Sequence, residues 1–164
     1  MKKEFFAGIV ILLSLQGFCQ TTAETKGIMQ PIKLLFEGMN LGDSAKVRSA
    51  FVNEVTFVTV AKNKSGKSTL TPEPLNEFLV AVGTPHAGVW SEPIWDVAIH
   101  VDGVFAQVWA KYAFYLDKQF SHCGVDAFHL IKGDDGQWRI FHLADTRQRE
   151  GCQVPATIGN QLKK

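Results

Sequence analysis

The 164-residue sequence has no strong excess of charge of either sign, few cysteines and no apolar run of the ~20 residues that cross a bilayer. Its 17 basic and 16 acidic residues leave a net charge of +1. Nucleic-acid partners are therefore not expected, because phosphate binding requires a clustered excess of Lys and Arg. Three cysteines are too few for a disulfide-rich scaffold. The hydrophobic fraction of 46% excludes a disordered chain, and the length suits a single domain.

The N-terminal segment predicts an export signal. Lys2 and Lys3 precede an apolar run from Phe5 to Leu15, and Gly17-Phe18-Cys19 then has small residues at alternate positions. A basic start, an apolar stretch of about 7–15 residues and a small-x-small site are typical of a secretory signal peptide. We therefore expect residues 1–19 to be removed on export to the periplasm or the medium, with no stable membrane insertion of the remainder. An uncleaved anchor and a lipoprotein modified at Cys19 are the alternatives.

Removal of residues 1–19 would leave two cysteines, Cys123 and Cys152, in an oxidising compartment where disulfides form. The two residues are either a disulfide pair or two separate thiols, one in a strand and one in the C-terminal tail. The sequence does not choose between these states, because a disulfide requires the two Cα atoms to lie within about 7 Å.

Helices are predicted mainly in the first half of the chain. Apolar residues from Ile28 to Met39 recur at helical spacing, with Pro31 in the first turn. A second, short helix is expected next, with either Asp43 or Ser44 as its N-cap. A third is expected after Thr71 as its cap, with a proline at the first helical position.

Strands are predicted mainly in the second half. One strand is expected at residues 55–61, and four more at 94–101, 104–116, 120–132 and 138–146, where β-branched and aromatic residues lie between turn residues. The order predicts an α+β domain over residues 20–150, with helices on one face of a curved antiparallel sheet, followed by a tail at residues 151–164.

A terminal block of the sequence carries a recognisable pattern. Residues 109–132 (WAKYAFYLDKQFSHCGVDAFHLIK), with DGQWRI at 135–140 and ADTR at 144–147, resemble the nuclear transport factor 2-like superfamily. Within it, the sequence is similar to the exported bacterial branch described as putative lumazine-binding or SnoaL-like proteins. The resemblance covers residues 25–150 and departs at Lys118, where a glycine is usual.

The resemblance implies a cone-shaped, cystatin-like fold, in which three N-terminal helices pack on a strongly bent antiparallel sheet and a pocket opens at one end. Ketosteroid isomerase, scytalone dehydratase and polyketide cyclases are similar in fold, and so are non-catalytic binders and dimerisation modules. The fold alone therefore does not determine the function.

Alternation of side chains along the strands predicts which residues share a face of the sheet. Two-residue turns at Asp102-Gly103 and Asp117-Lys118 would place Trp109 opposite Asp126. One face then carries a polar and aromatic set, comprising Asp96, His100, Gln107, Trp109, Lys111, Tyr115, His122, Asp126 and Phe128. The last hairpin leaves two registers open: a four-residue turn places Asp145 and Arg147 on this face, and a five-residue turn places them on the other.

The polar set suggests acid–base chemistry. We predict His122, Asp126 and Asp145 as catalytic residues, because a histidine oriented by a carboxylate can act as a general acid or base near neutral pH. Arg147 would bind a carboxylate or enolate oxygen of the substrate. The aromatic residues Trp109 and Tyr115 would form flat apolar walls for a ring. No spacing of ligating residues predicts a metal ion or another cofactor.

Two functions fit this pattern. In the first, the protein is exported, binds an unidentified small molecule in the cone and acts as a lyase, isomerase or hydrolase on a cyclic substrate. In the second, it is a non-catalytic homodimeric accessory domain, and the same polar face is the contact between subunits.

Overall fold

The computed structural model describes residues 22–161, and the side chains of residues 22–158. The predicted signal peptide at residues 1–19 lies outside the described residues. The elements in chain order are α1 (Thr22–Leu41), α2 (Ser44–Ser49), β1 (Phe51–Lys62), β2 (Ser68–Pro72), α3 (Leu75–Gly83), β3 (Trp90–Ser91), β4 (Ile94–Asp102), β5 (Phe105–Leu116), β6 (Gln119–Lys132), β7 (Trp138–Thr146) and α4 (Ala156–Gln161). None of the described helices is long and apolar enough to cross a membrane.

All seven strands join one sheet in the order β2-β1-β7-β6-β5-β3, and β4 also pairs with β5. The pairing is antiparallel except between β1 and β7, which run parallel. The expected antiparallel sheet is therefore mixed, because the last strand of the meander returns beside the first strand of the chain. The expected α+β architecture, with three N-terminal helices on a strongly curved sheet, is present.

Helix α1 supplies one side of the core. Its fully buried residues Ile28, Ile32 and Leu35 follow the predicted helical spacing and pack with the inner face of the sheet. The helix begins at Thr22, however, so Pro31 lies inside it and not in the first turn as predicted. Proline has no N–H to donate to the carbonyl of residue 27, and the Pro31 side chain is buried.

Asp43 caps helix α2, as its sequence position predicts. Its side-chain Oδ1 accepts a hydrogen bond from the backbone N–H of Lys46 at 2.9 Å. Gly42 precedes it with φ at +66°, a conformation that L side chains rarely adopt.

We expect Asp43→Ala to lower the free energy of unfolding by about 1 kcal/mol, because it leaves one N–H of the first turn without its acceptor. Urea unfolding followed by circular dichroism measures this loss. An unchanged midpoint would mean that water replaces the cap without penalty.

The third helix begins later than predicted. Thr71 and Pro72 belong to strand β2, where they pair with Thr59 and Val58 of β1, and α3 begins at Leu75 behind Pro74. The sequence has two prolines at this point, and it is the second that precedes the helix. Pairing with β1 determines the conformation of the first.

A β-bulge in β6 sets which side chains face the core. Near the turn, Leu116 pairs with Gln119 as predicted, and Tyr115 pairs with Phe120. Phe114 then pairs with His122, so Ser121 is an extra residue in β6. Because of the extra residue, every side chain of β6 after Ser121 lies on the opposite face, relative to β5, from the face that a regular pairing would give it. The predicted pairing of Trp109 with Asp126 is therefore wrong.

The first hairpin of the meander also differs from the prediction by its turn. Asp102 pairs with Phe105, so the two loop residues are Gly103 and Val104 and not Asp102 and Gly103. Gly103 adopts φ of +58° at the first loop position, which favours glycine there.

The last hairpin has the longer of the two turns that its sequence left open. Lys132 pairs with Trp138, which makes the loop five residues long. A second bulge follows, because Leu130 pairs with Ile140 whereas His129 pairs with His142. The bulge reverses the effect of the loop length, so Asp145 lies directly opposite Asp126.

Cys123 and Cys152 form a disulfide with a Cα–Cα distance of 6.1 Å. The bond attaches the C-terminal segment to the outer face of β6, where Cys152 and Val154 pack against Ala113 and Tyr115. The region predicted as a tail thus contains the short helix α4 and a covalent link to the sheet.

Candidate functional site

A cavity of about 580 Å³ lies between the helices and the inner face of the sheet. Its size is within the range of small-molecule sites. The lining is mostly apolar and aromatic, with a group of acidic side chains. The lining residues are Leu35, Phe36, Met39, Phe57, Pro72, Glu73, Pro74, Glu77, Phe78, Ala81, Trp90, Glu92, Tyr112, Phe114, Leu116, His122, Asp126, Leu143, Asp145 and Arg147.

The structure brings four of the six predicted site residues into this cavity: His122, Asp126, Asp145 and Arg147 all line it. The two predicted aromatic walls do not. Trp109 is 47% exposed on the outer face of the sheet, and Tyr115 is buried against Cys123 on that same face. The cause is the bulge at Ser121 in β6, which places His122 and Asp126 on the same face as the even-numbered residues of β5 and leaves Trp109 and Tyr115 on the opposite face.

Tyr112 and Phe114 line the cavity in their place. They stand four and two residues before Leu116 on β5, on the face opposite to that of Trp109 and Tyr115. The nearby aromatic residues Trp90 and Phe114 lie edge to face with their ring centroids 5.9 Å apart.

Asp145 is held by three donors. Thr59 donates to Oδ1 at 2.5 Å, and Tyr112 and the Nε of Arg147 donate to Oδ2 at 3.2 and 2.7 Å. The side chain is only 5% exposed. These contacts hold the carboxylate in one position, so Asp145 organises the site.

Arg147 is engaged by two carboxylates at once. Besides the contact with Asp145, its second guanidinium nitrogen lies 2.9 Å from Oε1 of Glu73. These contacts raise the pKa of the guanidinium against the effect of burial. Arg147 was predicted to bind a substrate carboxylate, but its charge is already neutralised by Asp145 and Glu73.

Glu92 is the acidic residue that sequence reasoning missed. It follows the two-residue strand β3, and its carboxyl group is hydrogen-bonded to that of Asp126. The sequence offers one indication that Glu92 lies near the core, because Trp90 stands two residues before it and Pro93-Ile94-Trp95 follow it. That pattern does not reveal which way the side chain points.

Glu92 and Asp126 form a pair of carboxyl groups whose pKa values are both raised. Burial, together with repulsion from Asp145, raises the pKa of Glu92 from its ordinary value of 4.5 to about 8. Burial and repulsion from Glu92 raise the pKa of Asp126 well above its ordinary value. A hydrogen bond between two carboxyl groups also requires that one of them carry the proton.

Tyr112 reaches across the neighbouring strand. Its hydroxyl lies 2.9 Å from the carbonyl oxygen of Thr146, in addition to its contact with Asp145. The residue it crosses on β6 is Gly124, its partner in the register. A Cβ at position 124 would lie 1.7 Å from the carbonyl oxygen of Thr146, so only glycine fits at this position.

His122 lies in the cavity wall near Tyr112 and Phe114, with ring centroids 5.7 and 5.1 Å away. Burial and the charge of Arg147 lower the pKa of the imidazole, so it is neutral at pH 7. Its Nδ1 is 3.0 Å from the Oγ of Ser121. The ring is therefore positioned by a serine, and not by Asp126 or Asp145 as predicted. Asp126 is four residues away on the same strand, or about 13 Å along it.

Within the described part of the chain, no group of three or more His, Cys, Asp or Glu side chains is arranged to hold a metal ion.

Residues 23–142 match the protein family described as "Putative lumazine-binding". The chain belongs to this family. Its membership confirms the predicted relationship to the nuclear transport factor 2-like superfamily, and no curated protein matches the sequence.

Solved structures resemble this family member in fold. An NTF2-like protein of unknown function from Shewanella baltica superposes with a TM-score of 0.59 at 21% identity, covering 78% of this chain and 96% of that one. A putative ketosteroid isomerase from Shewanella frigidimarina gives 0.53 at 20% identity, covering 73% and 94%. A putative scytalone dehydratase from Novosphingobium aromaticivorans gives 0.60 at 14% identity, covering 81% and 90%. At these identities the likeness shows the fold of the lumazine-binding family member and not its reaction.

Proposed function

We propose that the protein binds a small ring compound in the cavity and catalyses a proton transfer on it, as an isomerase or a lyase does. The observation that carries this proposal is the hydrogen-bonded pair of Glu92 and Asp126 in an otherwise largely apolar cavity. An acid–base catalyst is most effective when its pKa lies near the working pH, and burial brings Glu92 to about 8.

In this proposal each residue of the site has a distinct part. The ionised member of the pair removes a proton from the bound ring, and the protonated member gives one back. The neutral imidazole of His122 acts as a second hydrogen-bonding group at the ligand. Asp145, Tyr112 and Arg147 hold the wall in which the pair sits. Trp90 and Phe114 enclose the ring and exclude water.

Fold similarity supports the proposal only at a coarse level. Two of the similar structures are described as a putative ketosteroid isomerase and a putative scytalone dehydratase, and both descriptions denote reactions on ring compounds that move protons. The cavity geometry here is independent of those descriptions and agrees with them.

The proposed test combines binding and exchange. A library of ring compounds is screened by thermal shift against the parent, the Asp126→Asn variant and the control Asp102→Asn, whose carboxylate is exposed at the end of β4. Compounds that stabilise the parent are then incubated with it in D2O, and mass spectrometry reads deuterium incorporation. We expect stabilisation and exchange with the parent and the control, and loss of exchange with Asp126→Asn.

Two results would contradict the proposal. Compounds that bind without any protein-dependent exchange would overturn the catalytic part. Equal stabilisation of the parent and Asp126→Asn by every compound would mean that the carboxyl pair is not part of the binding site.

The alternative of an accessory domain loses its original basis, because His122, Asp126 and Arg147 line the cavity inside the cone. Association with a second copy is instead proposed through the outer face of the sheet. There Phe105, Trp109 and Ile131 are exposed, and such apolar groups are common at subunit contacts.

Export of the protein also stays a proposal. The Cys123–Cys152 disulfide supports it, since disulfides persist mainly in oxidising compartments.

A further inference from the structure

The charges in the cavity do not balance. The lining includes the carboxyl groups of Glu73, Glu77, Glu92, Asp126 and Asp145, and Arg147 is the one lysine or arginine among the lining residues. The imidazole of His122 is neutral at pH 7. Even with one proton on the pair of Glu92 and Asp126, four negative charges face one positive charge. A buried excess of one sign is unfavourable unless a counter-charge is supplied.

The single cationic side chain, Arg147, already forms ion pairs with Asp145 and Glu73. The guanidinium of Arg147 contacts Asp145 at 2.7 Å and Glu73 at 2.9 Å, and both contacts are ion pairs. The other pair of carboxyl groups, Glu92 and Asp126, has no ion pair with it. The charge of the Glu92–Asp126 pair therefore has no ion-pair partner among the described residues.

Asp126 receives no hydrogen bond from an N–H or hydroxyl group of the described residues. The side chain is only 3% exposed, and its Oδ2 has no partner there other than the carboxyl group of Glu92. Such an atom is rare in native structures, because a buried acceptor loses its hydrogen bonds to water. Since Asp126 lines the cavity, a donor can come from a bound molecule.

The apolar walls fit the same kind of ligand. Phe36, Phe57, Phe78, Trp90 and Phe114 surround the cavity. Aromatic faces attract organic cations through their ring quadrupoles and exclude the water that would screen the charge. Carboxyl groups within aromatic walls are suited to a ring that carries a positively charged nitrogen.

We infer that the ligand of this cavity is a ring compound with a protonated basic nitrogen, whose N–H donates to Oδ2 of Asp126. The inference rests on the binding part of the proposed function and specifies the class of ligand. The cationic nitrogen supplies both the missing counter-charge and the missing donor. Anionic rings are excluded, because the guanidinium that would receive them is held by Asp145 and Glu73.

Three probes of similar size and different charge test this inference. They are 1-naphthylmethylamine, which is cationic at pH 7, 1-naphthylmethanol, which is neutral, and 1-naphthylacetate, which is anionic. Isothermal titration calorimetry measures the Kd of each for the parent protein. We expect the amine to bind at least about tenfold more tightly than the alcohol, and the acetate to bind most weakly.

Two variants assign the preference to the carboxyl pair. Asp126→Asn should reduce the ratio of the alcohol Kd to the amine Kd to near one while keeping the affinity for the alcohol, and Glu92→Gln should reduce it in the same direction. Asp102→Asn, outside the cavity, should keep the ratio of the parent. Circular dichroism establishes that each variant is folded.

The outcomes distinguish this inference from the proposed function. Equal Kd values for amine and alcohol, or tightest binding of the acetate, would overturn the inference and leave the proposed function to its own screen. A preference for the amine that survives both Asp126→Asn and Glu92→Gln would also overturn it. Absence of binding by all three probes would overturn it as well, whereas the deuterium exchange assay decides the proposed function separately.

Discussion

Replacement of Glu92 by glutamine is expected to stabilise the protein at pH 8 by on the order of 2–4 kcal/mol. In the folded protein the pKa of Glu92 is raised from 4.5 to about 8 by burial and by Asp145. Between these two pH values the unfolded chain has released the proton and the folded protein still holds it. Stability therefore falls as pH rises through this window, by up to about 1.4 kcal/mol per pH unit for one such group.

Urea unfolding at half-unit steps from pH 4.5 to 8.5 measures this effect. The parent should lose stability across the window, and Glu92→Gln should show a flatter profile with part of the slope left by Asp126. The control Asp102→Asn should follow the parent. Parallel profiles for the parent and Glu92→Gln would contradict a raised pKa at Glu92.

Replacement of Gly124 by alanine is expected to produce the largest loss of stability, about 3 kcal/mol. The added Cβ would lie 1.7 Å from the carbonyl oxygen of Thr146 and 2.7 Å from its carbonyl carbon. Both are backbone atoms, so β6 and β7 must separate locally. The movement also disturbs Tyr112, whose hydroxyl lies 2.9 Å from the same oxygen.

Differential scanning calorimetry measures this loss as a fall in Tm of roughly 6–12 °C for a chain of this length. Alanine is no worse than glycine for the backbone entropy of a strand, so a loss must come from the collision. The variant should also lose affinity for cavity ligands, because Tyr112 positions Asp145. A Tm equal to that of the parent would show that the strands do not pack as closely as described.

The general architecture could be predicted from the sequence because its signals are local. The apolar spacing of Ile28, Ile32 and Leu35 identifies the inner face of α1, and Asp43 identifies the cap of α2. The meander follows from alternating runs separated by turn residues. These features depend on neighbours within a few residues, which a sequence displays directly.

The composition of the site could be predicted only in part, because the faces of the strands depend on bulges. Nothing in the sequence around Ser121 predicts a bulge. The bulge nevertheless determines that Tyr112, and not Trp109 or Tyr115, shares a face with His122 and Asp126. In the last hairpin, the five-residue loop and the bulge between His129 and Leu130 cancel one another. Asp145 therefore faces the cavity because of both the loop length and the bulge, and alternation of side chains alone predicts neither of them.

Glu92 could not be predicted as a site residue, for a different reason. Its carboxyl group meets that of Asp126 only because the short strand β3 pairs with the end of β5. A two-residue strand has too few residues to show alternation, and the contact joins positions 34 residues apart. Only the three-dimensional arrangement brings these two acids together.

The central claim is that Glu92 and Asp126 hold one proton between them at neutral pH. Carbon-13 NMR of the side-chain carboxyl carbons, titrated from pH 3 to 10 and assigned with Glu92→Gln and Asp126→Asn, tests it most directly. We expect the pair to bind one proton at pH 7 and to release its last proton with an apparent pKa near 8. Titration of both carboxyl groups below about pH 5, at the ordinary values of Asp and Glu, would contradict the account.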